Sequence, residues 1–189
     1  MVLNIACYSN IQHENIFEIV DFILKTQMDD GGWNCRLNDK PHHSSLHTTI
    51  NVLEGLKEYI NSGYVYRKTE ILNAMEKAHE FILVHKLYKS DKTNQVIDKK
   101  MTMLSYPSRW RYDILRALDY FQSIDFQYDP RMEDALNLSL KKKLKSNKWP
   151  LQQKYPGRVF FDFEKVGKES RINTVRALRV LKKYGKVIK

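Results

Sequence analysis

Cys35, His43 and His47 stand close together in the chain, with Asp30 a few residues upstream, and thiolate, imidazole and carboxylate are the side chains that ligate zinc. These four residues form the candidate metal set, with zinc as the implied cofactor. The same residues have a second use, because an imidazole beside a thiol lowers its pKa and produces a nucleophile. A purely structural use stands beside both: Cys35 as a small buried residue, His43 as a loop residue, and His47 as a first-turn partner for backbone or carboxylate.

A second concentration of polar chemistry lies further along, in the run Arg109, Trp110, Arg111, Tyr112 and Asp113, and in Trp149, Arg158, Glu164 and Arg171. Arg109, Arg111, Arg158 and Arg171 precede or open segments with helical periodicity. Free amides and the helix dipole there favour phosphate or carboxylate, and guanidinium adds bidentate geometry. Together with Trp33, Trp110, Trp149 and Glu164 they make up the candidate ligand-binding set, for an apolar small molecule with an anionic head. Tyr112 and Asp113 are the candidate acid-base pair. The competing use of these residues is internal, with the arginines pairing with Asp113, Asp162 and Glu164 and the tryptophans clamping loops.

The elements that must position these side chains are helices. Apolar residues recur at helical spacing in nearly every segment and strict alternation is scarce, so the chain is expected to be all-α. The pattern repeats as three antiparallel hairpins near 14–63, 69–124 and 131–186, about six helices in all, each with a polar loop between an outgoing and a returning helix. In the returning helices Leu53, Leu115 and Val175 align, followed by the small residues Gly55, Ala117 and Ala177 and by Leu56, Leu118 and Leu178. Asn51, Asp113 and Asn173 fall on a shared polar position. Gly31-Gly32 is expected to stop a helix, Ser44 or Ser45 to cap one, Pro107-Ser108 to open one, Asn61-Ser62-Gly63 to end one, and Tyr128-Asp129-Pro130 to start one. Stacked hairpins send their outer-to-inner loops to one end, which predicts a common mouth for the candidate residues.

With 189 residues the chain suffices for one core, and 1–189 is expected to be a single domain. Two cysteines are too few for a disulfide scaffold and point to a reducing, cytoplasmic setting. No apolar run is long enough for a membrane span. The formal charge of +10 allows acidic partners, and the basic run from Lys141 to Lys148, with the Lys-rich tail after Arg179, resembles a nucleic-acid or lipid patch. No nucleic-acid module accompanies it, and lysines spaced along an outer helix are ordinary solvated surface, so nucleic acid is not the expected partner.

LKTQMDDGGW, in which Gln27 precedes Trp33 across a Gly-Gly step, resembles the Gln-Trp repeat of squalene and oxidosqualene cyclases and of protein prenyltransferase β-subunits. The third hairpin keeps Trp149 but has Lys143 in the glutamine position. GGWNC, HSSLHTT, RWRYDILRALDYF, PGR and NTVRALRVL look like uncharacterised prokaryotic proteins of the same terpenoid cyclase/prenyltransferase type. The resemblance implies an α/α toroid in which the tryptophan loop ties neighbouring hairpins together. Complete toroids use about twice as many hairpins, so the chain represents an open arc, a truncated relative, or a homo-oligomer that closes the ring. Prenyltransferase β-subunits bind zinc through Asp, Cys and His, which agrees in ligand type with Asp30, Cys35, His43 and His47. The Asp-x-Asp-Asp acid of squalene-hopene cyclases is absent, as is the Asp-rich metal motif of ionising terpene synthases. An enzyme of this type would therefore be an isoprenoid transferase or lyase. The alternative is a non-catalytic helical scaffold for a peptide or protein partner.

Overall fold

The computed structural model describes residues 1–11 and 14–185, which excludes the last positions of the expected domain and third hairpin and, with them, Lys186 and Lys189 of the basic tail. The described residues form a mostly helical protein of seven α-helices: α1 (Val2–Tyr8), α2 (Asn15–Lys25), α3 (Leu46–Asn61), α4 (Lys68–Val84), α5 (Ile114–Ser123), α6 (Glu133–Lys141) and α7 (Arg171–Tyr184). Two short strands, β1 (Trp149–Pro150) and β2 (Glu169–Ser170), pair antiparallel and close the base of the last long loop. Along the chain α2 and α3, α4 and α5, and α6 and α7 fall on the segments expected to be outgoing and returning helices, while α1 is an addition the periodicity did not separate. Backbone contacts divide the chain into two compact units, Met1–Ile82 and Leu83–Lys189.

In the first unit, Leu46, Ile50, Leu53 and Leu56 line one side of α3, each at most 3% exposed. That spacing is the apolar stripe of an amphipathic helix, and α1 packs against α3. Helix α2 ends at Lys25, before the Gly31-Gly32 pair expected to stop it. The glycines instead let the loop lie against α4: Gly31 has φ +90°, and a Cβ there would stand 2.6 Å from the Lys77 carbonyl oxygen. Ser45 is the residue preceding α3 but its side chain makes no capping bond, while Ser44 donates its hydroxyl to Asp30. Helix α3 ends at the expected Asn61-Ser62-Gly63 stop.

In the second unit α5 packs against both α6 and α7, which explains why Ile114, Leu115, Ala117, Leu118 and Phe121 are all buried on a single short helix. Helix α5 begins after Asp113 and not at Pro107-Ser108, because the Asp113 carboxylate caps it by accepting from the Arg116 amide at 3.0 Å. Asp129 likewise accepts from the Arg131 amide, opening a short 3-10 turn that leads into α6. Lys142 to Lys148 follow α6 rather than continuing it, and burial holds the Lys142 ammonium below the ordinary lysine range.

The aligned small residues Gly55, Ala117 and Ala177 are all buried. The leucine positions do not agree in the same way, since Val175 and Leu178 are 48% and 52% exposed on α7 while Leu53, Leu56, Leu115 and Leu118 are buried. The tryptophan loops place α3 and α7 at a different alignment, under which Val175 and Leu178 still face solvent where Ile50 and Leu53 are buried.

Candidate functional site

Trp33 and Trp149 are held by the same contacts in their respective units. The Trp33 indole donates to the Ile23 carbonyl at 2.7 Å, ten residues earlier, and the Trp149 indole donates to the Ser139 carbonyl at 2.8 Å, also ten residues earlier. Each main-chain amide donates at 3.0 Å to a threonine hydroxyl of the returning helix, Thr49 for Trp33 and Thr174 for Trp149. Ser45 donates its amide to the Trp33 carbonyl, and Ser170 is the strand partner of Trp149. Ser45 with Ser170 and Thr49 with Thr174 are both 125 apart, so these contacts set the register of α3 and α7 at 125. The leucine alignment, Leu53 with Val175, had set it at 122. Both tryptophans are nearly inaccessible, at 2% and 1%, and act as clamps rather than as cavity walls.

Gln27 completes the first clamp: its amide donates to Gly31 and Ala74 carbonyls at 2.7 and 2.8 Å, tying the loop to α4. In this unit the Asp30 carboxylate accepts from the Ser44 amide and hydroxyl. Cys35 and His43 are exposed, and His47 lies in the first turn of α3. Among the described residues no group of three or more His, Cys, Asp or Glu side chains is arranged to hold a metal ion. As placed, Asp30, Cys35, His43 and His47 do not form a ligand set. The other cysteine, Cys7, is buried, and burial raises its thiol to about 11, with the Glu58 charge adding to the shift.

In the second unit the acid-base candidates are engaged by the fold. Tyr112 is fully buried and donates to the Leu87 carbonyl at 2.5 Å, and burial drives its phenol well above the ordinary tyrosine range. Asp113 is 1% exposed and accepts from the Ser105 hydroxyl at 2.5 Å in addition to capping α5. Burial raises its pKa, opposed by the Ser105 and Arg116 hydrogen bonds and by the Arg176 and Arg116 charges. Arg116, which sequence reasoning missed, is 6% exposed and donates to the Arg109 and Arg111 carbonyls, fastening the segment before α5.

The ligand candidates divide by role. Glu164 accepts from the Arg171 and Ile172 amides at 2.7 and 3.3 Å, so a carboxylate of the chain itself occupies the anion position at the start of α7. Arg171 opens that helix. Arg111 lies 3.8 Å over the ring of Trp110, which is 48% exposed. Arg109 donates to the Pro156 carbonyl at 3.1 Å and fills the space beside Gly157, where a Cβ would meet its guanidinium at 2.1 Å. The backbone of Gly157 has φ +141°, which favours glycine independently.

Arg158 and Glu164 line a cleft of about 280 Å³ together with Tyr106, Pro107, Lys154 and residues 159–163. Its walls are aromatic: Phe163 meets Tyr106 edge-on at 5.9 Å and lies 4.7 Å from Phe161. Lys154 is ion-paired with Asp162, and the second Glu164 oxygen is a buried acceptor without a hydrogen-bond partner. Arg158 is exposed and makes no side-chain ion pair or hydrogen bond among the described residues. The aromatic lining was not among the candidate residues, although three phenylalanines between Pro156-Gly157 and Gly167 are a readable signal, since turn-rich segments rarely bury such a run. No family model, curated protein or solved structure matches the chain, and no helix among the described residues is long and apolar enough to cross a membrane.

Proposed function

We propose that the chain is a terpenoid cyclase/prenyltransferase-like toroid domain that binds an apolar ligand with an anionic head, of isoprenoid type, in the aromatic cleft of its second unit. The observation that carries this reading is the pairing of an aromatic pocket with one cation, Arg158, that no carboxylate among the described residues ion-pairs. Apolar walls supply affinity and a single placed charge supplies orientation. Tyr112 and Asp113 do not line the cleft and are committed to Leu87, Ser105 and α5, so the proposal is one of binding rather than turnover.

Titration of the full chain with geranyl diphosphate, geraniol and inorganic diphosphate tests it. Geranyl diphosphate is expected to bind at least about tenfold more tightly than either fragment, and Arg158→Ala to lose about tenfold, or about 1.4 kcal/mol, for the ester but not for geraniol. No binding, or equal loss for both, refutes the reading. A non-catalytic scaffold for a peptide or protein partner is the second reading. It is favoured by the carboxylates of Asp113 and Glu164, which already fill the amide positions at the starts of α5 and α7.

A further inference from the structure

The loop between β1 and β2 presents to solvent the same phenylalanines that wall the cleft. Its base is pinned by the Leu151 amide to the Lys168 carbonyl at 2.9 Å and the Gly167 amide to the Leu151 carbonyl at 2.7 Å. Beyond that base Phe160 is 98% exposed, Phe161 64%, Phe163 57% and Val166 53%. Contiguous exposed apolar surface of this kind marks contact with a protein or a lipid phase.

The charges around the rings distinguish the two. Every carboxylate of the loop and its closing strand is engaged: Asp162 by Lys154, Glu164 by the first amides of α7, and Glu169 by Lys148. Arg158, Lys165 and Lys168 are exposed and hold no side-chain ion pair among the described residues. Because the amides hold Glu164 without neutralising it, the surface combines apolar rings with three such cations against one carboxylate, a net positive charge that anionic lipid headgroups over an acyl layer complement. A folded protein partner would have to enclose Phe160 on all sides, whereas the lipid interface takes up a single projecting ring without a preformed pocket. Phe161 is braced against Phe163 and Phe163 against Tyr106, so these two rings are held in place rather than assembled on contact.

We propose that this loop docks the protein on an anionic lipid surface, with Phe160 and Phe161 entering the interface and Arg158, Lys165 and Lys168 meeting the headgroups. The inference shares Arg158, Phe160 and Phe161 with the cleft but needs no small-molecule ligand, and Lys165 and Lys168, which do not line the cleft, test it separately. Sedimentation of the full chain with phosphatidylcholine vesicles, with and without about 30 mol % phosphatidylserine, tests it. Binding is expected to be at least about tenfold stronger with phosphatidylserine, and the double variant Phe160→Ser/Phe161→Ser to lose at least about tenfold with an unchanged thermal midpoint. Lys165→Ala and Lys168→Ala, neither of which lines the cleft, are each expected to weaken binding about fivefold. Wild-type protein that sediments no better with anionic vesicles than alone overturns the proposal, as does equal binding by the serine variant. A wild-type particle mass that exceeds the variant's without vesicle binding assigns the surface to self-association and overturns it as well.

Discussion

Replacing Asp113 separates a helix-capping carboxylate from a chemical one. The side chain is 1% exposed and accepts two hydrogen bonds, from the Arg116 amide at 3.0 Å and the Ser105 hydroxyl at 2.5 Å. Losing an N-cap costs about 1 kcal/mol. Ser105 is itself 1% exposed, and leaving its buried hydroxyl without an acceptor costs about 1–3 kcal/mol more. Asp113→Ala is therefore expected to lose about 3 kcal/mol, and Asp113→Asn about 1 kcal/mol because an amide oxygen can still cap α5. Urea unfolding followed by tryptophan fluorescence measures both. A cost below about 1 kcal/mol for the alanine variant, or equal costs for the two, refutes the capping argument. Titration adds a second check. Burial raises the folded-state pKa of Asp113, so protonation contributes stability that is fully present below the unfolded value of about 3.9 and is lost as pH rises through the folded value. The asparagine variant does not titrate, and its deficit against wild type is expected to shrink as pH rises through that window.

His79 on α4 behaves in the opposite sense: burial lowers its imidazole from 6.5 to about 4. The stability from keeping it neutral is present above about pH 6.5 and is lost as pH falls toward about 4, by up to about 3 kcal/mol, and His79→Gln should flatten that part of the urea-midpoint profile. Trp33→Phe and Trp149→Phe each remove one indole hydrogen bond, to the Ile23 and Ser139 carbonyls, which keep amide donors from Thr26 and Lys142. Each is expected to cost about 1 kcal/mol, and similar costs in thermal or urea unfolding would confirm that the two loops are clamped in the same way. Gly157→Ala has neither the backbone freedom nor the room beside Arg109. It is expected to lose about 1–2 kcal/mol and to weaken geranyl diphosphate binding, both read from one calorimetric series.

The helical class was legible because it depends on local periodicity: apolar residues three and four apart can only be buried together on a helix. The Gln27 to Trp33 segment was also legible as a tie, and Gln27 does join its loop to the Ala74 carbonyl of α4. The register between α3 and α7 was not, because leucines spaced three and four apart match nearly as well when slid by one turn. Only the contacts of Trp33 with Thr49 and of Trp149 with Thr174 select one alignment. Residue type likewise proposed Asp113, Tyr112, Glu164 and Asp30 for chemistry. A carboxylate that caps a helix and one that meets a ligand are the same letters, and what separates them is whether amides and hydroxyls of distant segments arrive first. They do so for Asp113 at Ser105 and Arg116, for Glu164 at α7 and for Asp30 at Ser44. Composition and spacing thus determined by themselves the helices and where the charged and aromatic residues cluster. Tertiary structure decided which of those residues are already occupied, leaving Arg158 and the phenylalanine loop open to solvent, because hydrogen-bond satisfaction and burial depend on contacts between segments far apart in the chain.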